Sequence, residues 1–340
     1  MQAAWQTFLT GLGAVVEQDR VQHFAQPQSE LAAADHGTVL CDLSHWGLLP
    51  FAGDDVKTFL NGQLSSDVQQ LGDNHNQYSS HSTPKGRMLG NFLVWQQDGR
   101  VVLQVAPDLK DALQKRLSMY ILRAKVKLTP WEEAPVMLGL AGPEAASLLH
   151  TVLAAPALAE HGTWSDDGLT LLRTRGERYQ LLCSVARAIA LWPQLAKGAT
   201  PAGEDAWLLG EIRAGIPWIT AATQDAFVAQ MVNLELLGGV SFRKGCYTGQ
   251  EIIARTQHLG KVKQRLFRVA FDVSAHAGDA LYSPDLNGQS SGTLLNVAQT
   301  ASGHFEALAV LRLVSIEHGM HLHTVDGPAV RLLDLPYPLE

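Results

Sequence analysis

The chain has 340 residues, 46% of them hydrophobic and 17% charged, with 30 glycines and 15 prolines. That length allows two or three domains with a real core, and the composition excludes collagen-like and disordered classes. The 26 Lys and Arg against 33 Asp and Glu leave a net charge of −7, which excludes a uniformly basic nucleic-acid binder but not a local basic patch.

In chain order, the apolar stretch from Phe8 to Val16 lacks a basic leader and runs into Glu17, Asp19 and Arg20, a poor signal peptide. No run approaches the roughly 20 apolar residues of a membrane span, so the expected location is cytoplasmic. The strand-like Leu48 to Phe51 then meets Ala52-Gly53-Asp54 and helix-period Val56, Phe59 and Leu60. The same order recurs at Val136 to Leu140, Ala141-Gly142-Pro143-Glu144, and Ala145, Leu148 and Leu149. It reads as a strand–helix unit used twice, with chance recurrence as the alternative.

Between these copies, Asn91–Gln96 and Val101–Val105 flank Asp98-Gly99, a hairpin turn. A helix is predicted from Pro107, with Leu109, Leu113, Leu117, Tyr120 and Ile121 on one face. Leu169–Arg173 and Tyr179–Val185 form a second hairpin across Arg175-Gly176, and Glu204 to Ala214 reads as a helix stopped by Gly215. From about residue 261 the texture changes to short runs such as Arg265–Val273, Gly292–Val297, His304–Leu313 and Val330–Leu335, the pattern of a small β-barrel or sandwich. The expected division is therefore 1–260 and 261–340.

Cys41, Cys183 and Cys246 are far apart, with no C-x-x-C, so there is neither a disulfide framework, a zinc ribbon nor a set of four thiolates for a cluster. A reducing compartment fits this usage. Only Cys246 has chemistry around it. Thr248 and Glu251 have the form of a capping box, predicting a helix from Gly249, with Gly260 as its stop. Cys246 then precedes a helix N-terminus, beside Arg243 and Lys244, and all three influences favour its thiolate. Set against this is the small buried hydrophobe that most unpaired cysteines are. From Arg243 to Arg268, seven Lys or Arg face one acid, Glu251, and Lys110 to Lys127 is similarly basic. Such runs bind nucleic acid or an acidic protein, or form a solvated face. His318, His321 and His323 have no carboxylate or cysteine at ligand spacing, and no phosphate-binding or nucleophile-elbow motif is present.

Lys244-Gly245-Cys246-Tyr247-Thr248-Gly249-Gln250-Glu251 resembles the signature of the YgfZ family, folate-binding proteins related to the T-protein (aminomethyltransferase) of the glycine cleavage system. Phe59 to Leu64, Pro84 to Met88, Arg213 to Pro217, Asn233 to Glu235 with Gly238 to Phe242, and Leu335-Pro336-Tyr337 fit the same family in order, across nearly the whole chain. The resemblance implies an α+β fold, a three-module ring around a central folate channel. Two interleaved modules would occupy 1–260, and a small β-barrel 261–340. It implies tetrahydrofolate or a one-carbon derivative as ligand, with Trp46 and Trp207 lining the site, as a flat ring needs aromatic faces. On residue pattern alone, both tryptophans read as core.

The resemblance also implies Cys246 as the key thiol with Lys244 beside it, and no permanently bound metal. Where the aminomethyltransferase carries adjacent aspartates, this chain has Gly90 and Asn91, which supply no carboxylate. The implied function is an accessory protein supporting assembly or repair of iron–sulfur enzymes. Its partners would be client enzymes such as the tRNA methylthiotransferase, with direct tRNA contact weakly supported and no membrane partner. The alternative is a folate-dependent one-carbon transferase using Lys85, Glu251 or Lys244 as acid or base; a scaffold with a vestigial folate site is the third reading.

Overall fold

The strand–helix echo is a repeat of backbone geometry. Strand Gly47–Ala52 turns at Gly53 into helix Val56–Gln63, and strand Val136–Ala141 turns at Gly142 into helix Ala145–Leu153. Gly53 and Gly142 have φ of 130° and 133°. A Cβ at either would strike a crossing segment, at Lys125 O or Gly37 O respectively. Glycine is required for both the dihedral and the close approach.

The computed structural model describes residues 1–258, 260 and 262–339. Among them the two copies seed different sheets. The first has six strands in the order Thr163–Asp166, Leu169–Arg173, Arg178–Cys183, Val136–Ala141, Val39–Asp42 and Thr200–Ala202. The second has five: Asn76–Ser82, Met88–Gln97, Arg100–Val105, Gly47–Ala52 and Lys127–Leu128. The chain crosses from the first sheet to the second between Asp42 and Gly47, then returns at Val136, so the two modules interleave. The third module is a closed barrel of six strands between Gln264 and Leu333. No helix among the described residues is long and apolar enough to cross a membrane.

The Asp98-Gly99 turn joins its strands as expected, with φ of 50° and 71° and Gln97 opposite Arg100. Two expectations change. The helix after Pro107 begins as a 3-10 turn, Pro107–Leu109, and ends at Ser118, so Tyr120 and Ile121 lie beyond it. Barrel strands Ala280–Tyr282 and Met320–Leu322 have no sequence signal. Three residues show no usable alternation, and they become strands by pairing with each other and with Ser290–Gln299 and Ala329–Leu333. Cys41 and Cys183 are buried strand residues, and burial raises both thiols, Cys183 to about 11.

A charged clasp joins the barrel to the first module. Glu306 accepts from Arg213 Nη2 at 2.8 Å and Arg268 Nη2 at 2.9 Å, and Arg213 also pairs with Asp35. Burial raises the Glu306 pKa, but the bonds and charges of the two arginines outweigh it and hold the carboxyl below its ordinary range. A lowered folded pKa contributes stability above the unfolded value, which is lost as pH falls through the folded one. Glu306→Gln should therefore cost about 2 kcal/mol at pH 7. Wild type and variant should converge in urea unfolding near pH 3; a cost unchanged with pH would contradict the charge-based account.

Candidate functional site

The crossover from Asp42 to Gly47 places a polar and aromatic segment between two sheets. Trp46 lines two adjoining cavities there, of about 510 and 320 Å³. The smaller lies where all three modules meet: Glu204 and Leu208 come from the first, Pro107 follows a strand of the second, and Asn296 belongs to the barrel. Its second aromatic wall is Trp218, whose ring centroid is 4.5 Å from that of Trp46.

Trp218 is held on three sides. From the second sheet, Asn91 donates to Pro217 O and accepts from Ile219 N, both at 2.8 Å. From the barrel, Asn296 accepts from Trp218 N and donates to Trp218 O, both at 2.9 Å. The indole Nε1 donates to Glu211 Oε2 at 2.7 Å. Each asparagine uses an acceptor and a donor at once, as a backbone peptide would. A carboxylate in either position has no donor to give. This provides a structural reason for Asn91 at the place where the aminomethyltransferase resemblance leads one to expect an aspartate.

Trp207 is not brought to either cavity. It is 1% exposed, and its ring lies against Gly139 on one side and 4.0 Å beneath the Arg178 guanidinium on another. Arg178 donates to Glu211 Oε1 from Nε at 3.0 Å and from Nη2 at 2.7 Å. A continuous buried chain thus runs from Trp207 through Arg178, Glu211 and Trp218 to Trp46. The family resemblance pairs Trp46 with Trp207; the fold links them through three intermediates that only long-range contacts reveal. The available signal for Trp218 is its position directly after Arg213-Ala214-Gly215-Ile216-Pro217.

On the cavity wall, His45 Nε2 lies 2.9 Å from Glu204 Oε1, and Arg20 Nη1 lies 3.4 Å from Glu204 Oε2. Burial raises the Glu204 pKa, but the hydrogen bond and charge of His45 and the charge of Arg20 more than compensate, so the net shift is downward. Glu204 also opens the Glu204–Arg213 helix, where its charge meets the positive end of the dipole.

Cys246 is placed elsewhere. It is exposed, and no residue of 243–249 lines the two cavities. Lys244 pins its loop: Nζ donates to Asn61 O and Leu64 O at 2.7 Å and to Ser66 O at 2.6 Å, around the C-terminal end of helix Val56–Gln63. These bonds fill its three donors and satisfy helix-end carbonyls. Burial pulls the Lys244 pKa down to about 8, opposed by the Asp67 charge. Gly249, with φ of 86°, packs against Thr83 O and Gly86, which brings the two glycine motifs together. The helix begins one residue later than predicted, spanning Gln250–His258, and Gln250 Oε1 reaches back to Tyr247 N at 3.2 Å.

The expected basic run breaks up. Lys244 is bound by carbonyls, Arg265 pairs with Glu235, and Arg268 pairs with Glu306. Arg243, Arg255 and Lys263 are exposed, and Lys261 lies outside the described residues. Three of the seven bases are therefore engaged by partners within the chain rather than left free to bind a polyanion.

Residues 6–164 match the family model of the GCVT N-terminal domain. The tRNA-modifying protein YgfZ of Klebsiella pneumoniae (strain 342) is 31% identical over 319 residues, covering 92% of this chain and 97% of the relative. The protein of the same name from Enterobacter sp. (strain 638) is 32% identical over 325 residues, covering 92% and 98%. The chain belongs to the YgfZ family. Among solved structures, glycine cleavage system aminomethyltransferase T from Bartonella henselae superposes with a TM-score of 0.81 over 98% of this chain and 96% of its own, at 16% identity. The YgfZ chain therefore shares the aminomethyltransferase fold, and at that identity the likeness concerns the fold alone.

Proposed function

We propose that this YgfZ-family protein is a folate-binding accessory factor that supports assembly or repair of iron–sulfur enzymes, including those that methylthiolate tRNA, with Cys246 as its working thiol. The observation that carries this reading is the separation of the two features. An aromatic-walled cavity lies at the module junction, and an exposed thiol stands on a loop pinned outside it. A thiol in that position meets a second macromolecule more readily than a cavity ligand. Its thiolate is a soft ligand for iron or a carrier of sulfur. Lys244 acts by positioning the loop.

The cavity fits tetrahydrofolate or a one-carbon derivative. Trp46 and Trp218 offer faces for a flat ring, Trp207 supports them from behind, and the Trp46 indole N–H is buried without a partner among the described residues. Bound folate would supply one-carbon chemistry, while the chain's own residues orient it and limit water. The relative's aminomethyl transfer is not favoured, because Asn91 is committed to the backbone around Trp218 and Gly90 carries no side chain.

In a strain lacking this gene, Cys246→Ala should fail to restore tRNA methylthiolation while binding tetrahydrofolate as wild type does. Tryptophan fluorescence titration reads the binding, and Trp46→Ala should abolish saturable quenching. Full restoration by Cys246→Ala would remove the thiol from the function, and no quenching in wild type would remove folate.

A further inference from the structure

Directly after helix Lys110–Ser118 the chain exposes an apolar finger. Leu122 is 88% exposed and Met119 60%, with Tyr120 exposed beside them, whereas Ile121 turns inward against the core. No other four consecutive described residues expose three large apolar side chains. Single exposed apolar residues are ordinary on a surface, but a cluster marks a contact site. Leu122 also has a φ of 44°, a left-handed value that bulky residues rarely adopt. The turn is fixed by bonds from Tyr120 N to Leu117 O at 3.0 Å and from Ala124 N to Ile121 O at 2.8 Å. Glycine or asparagine suits such a backbone best, so local preference does not account for a leucine there.

Positive charge surrounds the finger. Lys110 to Lys127 carries six Lys or Arg against Asp111. Among the described residues Lys115, Arg123 and Lys127 are exposed and in no ion pair, and Lys125 makes one exposed pair with Asp54. Arg116 is used internally. It donates from Nε to His81 Nε2 at 3.2 Å, and its guanidinium lies 6.0 Å from the centre of the Tyr120 ring. The His81 ring meets Tyr120 edge-on at 6.3 Å, so the tyrosine is a held anchor rather than a free side chain.

The finger neighbours the thiol loop. His81 belongs to strand Asn76–Ser82 and pairs with Leu64, and next to it Ser65 N donates to Ser80 O at 2.9 Å. Ser65 O in turn accepts from Ser241 N at 2.9 Å, and Leu64 O accepts from Lys244. Segment 64–66 is therefore the link between the His81 strand and the loop that carries Cys246, at about 5 Å for each hydrogen-bonded step.

We propose that Met119, Tyr120 and Leu122 dock a client protein beside the Cys246 loop, by seating in an apolar pocket rimmed with Asp and Glu; this rests on the reading of Cys246 as a thiol that acts on other proteins. An apolar centre inside a charged rim is the layout of a protein–protein interface, in which the centre gives affinity and the rim steers approach. Two of the three side chains are aliphatic, whereas single-stranded nucleic acid is held by stacking on aromatic ones. A membrane anchor uses a longer apolar face than three residues provide.

The test uses the purified full-length chain and a tRNA methylthiotransferase, the client class named above. Met119→Ser with Leu122→Asn removes the apolar centre. Asparagine suits the left-handed backbone, so the urea midpoint should not fall, and tetrahydrofolate binding should match wild type. Affinity for the methylthiotransferase should drop at least about tenfold, and the variant should fail to restore tRNA methylthiolation in a strain lacking the gene. Lys115→Glu with Arg123→Glu should weaken binding mainly at low salt, converging on wild type as salt rises. If wild type binds the methylthiotransferase no more tightly than the Met119→Ser/Leu122→Asn variant, or not at all, the docking surface is wrong. It is equally overturned if that variant keeps methylthiotransferase binding and instead loses binding to tRNA alone, to phosphatidylglycerol vesicles or to a second copy of the chain. Restoration by the apolar variant but not by Cys246→Ala would remove the docking surface and leave the thiol reading standing. Restoration by Cys246→Ala would remove both.

Discussion

Glu211→Ala should destabilise the protein by about 3–5 kcal/mol, the cost of leaving a buried guanidinium without its carboxylate. Glu211 and Arg178 are 3% and 7% exposed. Arg178 is surrounded by the Trp207 ring, Trp207 O and the Glu211 carboxylate, and Glu211 is the acid it pairs with among the described residues. Gly210 leaves its guanidinium the room a Cβ would occupy. The same substitution removes the acceptor of the Trp218 indole, so the Trp46–Trp218 wall should loosen as well. Urea unfolding reads the first effect and tetrahydrofolate titration the second. Replacing both charges, Arg178→Met with Glu211→Leu, should recover most of the stability, because desolvating the pair offsets much of its attraction. It should not recover folate affinity, since the indole N–H would still lack its acceptor. A double variant no more stable than Glu211→Ala would show that the pair is not the source of the cost.

Asn91→Asp should cost about 2–4 kcal/mol at neutral pH, through one lost donor and one buried charge. Asn91 is 1% exposed, and Pro217 O faces its amide nitrogen at 2.8 Å. An ionised aspartate would place a second acceptor against that carbonyl. A protonated one could donate to Pro217 O and still accept from Ile219 N, reproducing the asparagine. Burial opposite a carbonyl should raise the folded pKa of the new carboxyl above its unfolded value. Its protonated form then supports the fold below the unfolded pKa, and that support is lost as pH rises through the folded one. The variant should therefore approach wild-type stability on acidification, as measured by urea midpoints at pH 5 and pH 8. Equal destabilisation at both would refute the account. Restoring an aspartate at this position should also yield no aminomethyl transfer, because the side chain remains engaged with the backbone at 217–219.

What could be read from residues was local. The two Ala-Gly turns, the Asp98-Gly99 hairpin and the Gly215 helix stop depend on dihedrals set within a few residues, and all stand in the structure. The octapeptide around Cys246 carried the family, and Gly249 within it is needed where the loop meets Thr83 and Gly86. The barrel was legible in texture from residue 261, but its two three-residue strands were not, since closure rather than pattern forms them.

By itself, then, the sequence determined the turns, the principal helices and strands, the family and the one cysteine with a distinctive setting. Only the tertiary structure decided that Lys244 is bound to carbonyls of another helix end, that Trp207 lies behind the cavity, and that Trp218 forms its second wall. It also decided that Cys246 and the cavity are separate features. The physical reason is range: dihedral preferences act between neighbours, whereas each of these outcomes depends on groups brought together from distant parts of the chain. Asn91 illustrates it most directly. As a letter in the sequence it is a missing carboxylate; in the fold, its amide binds the backbone on both sides of Trp218.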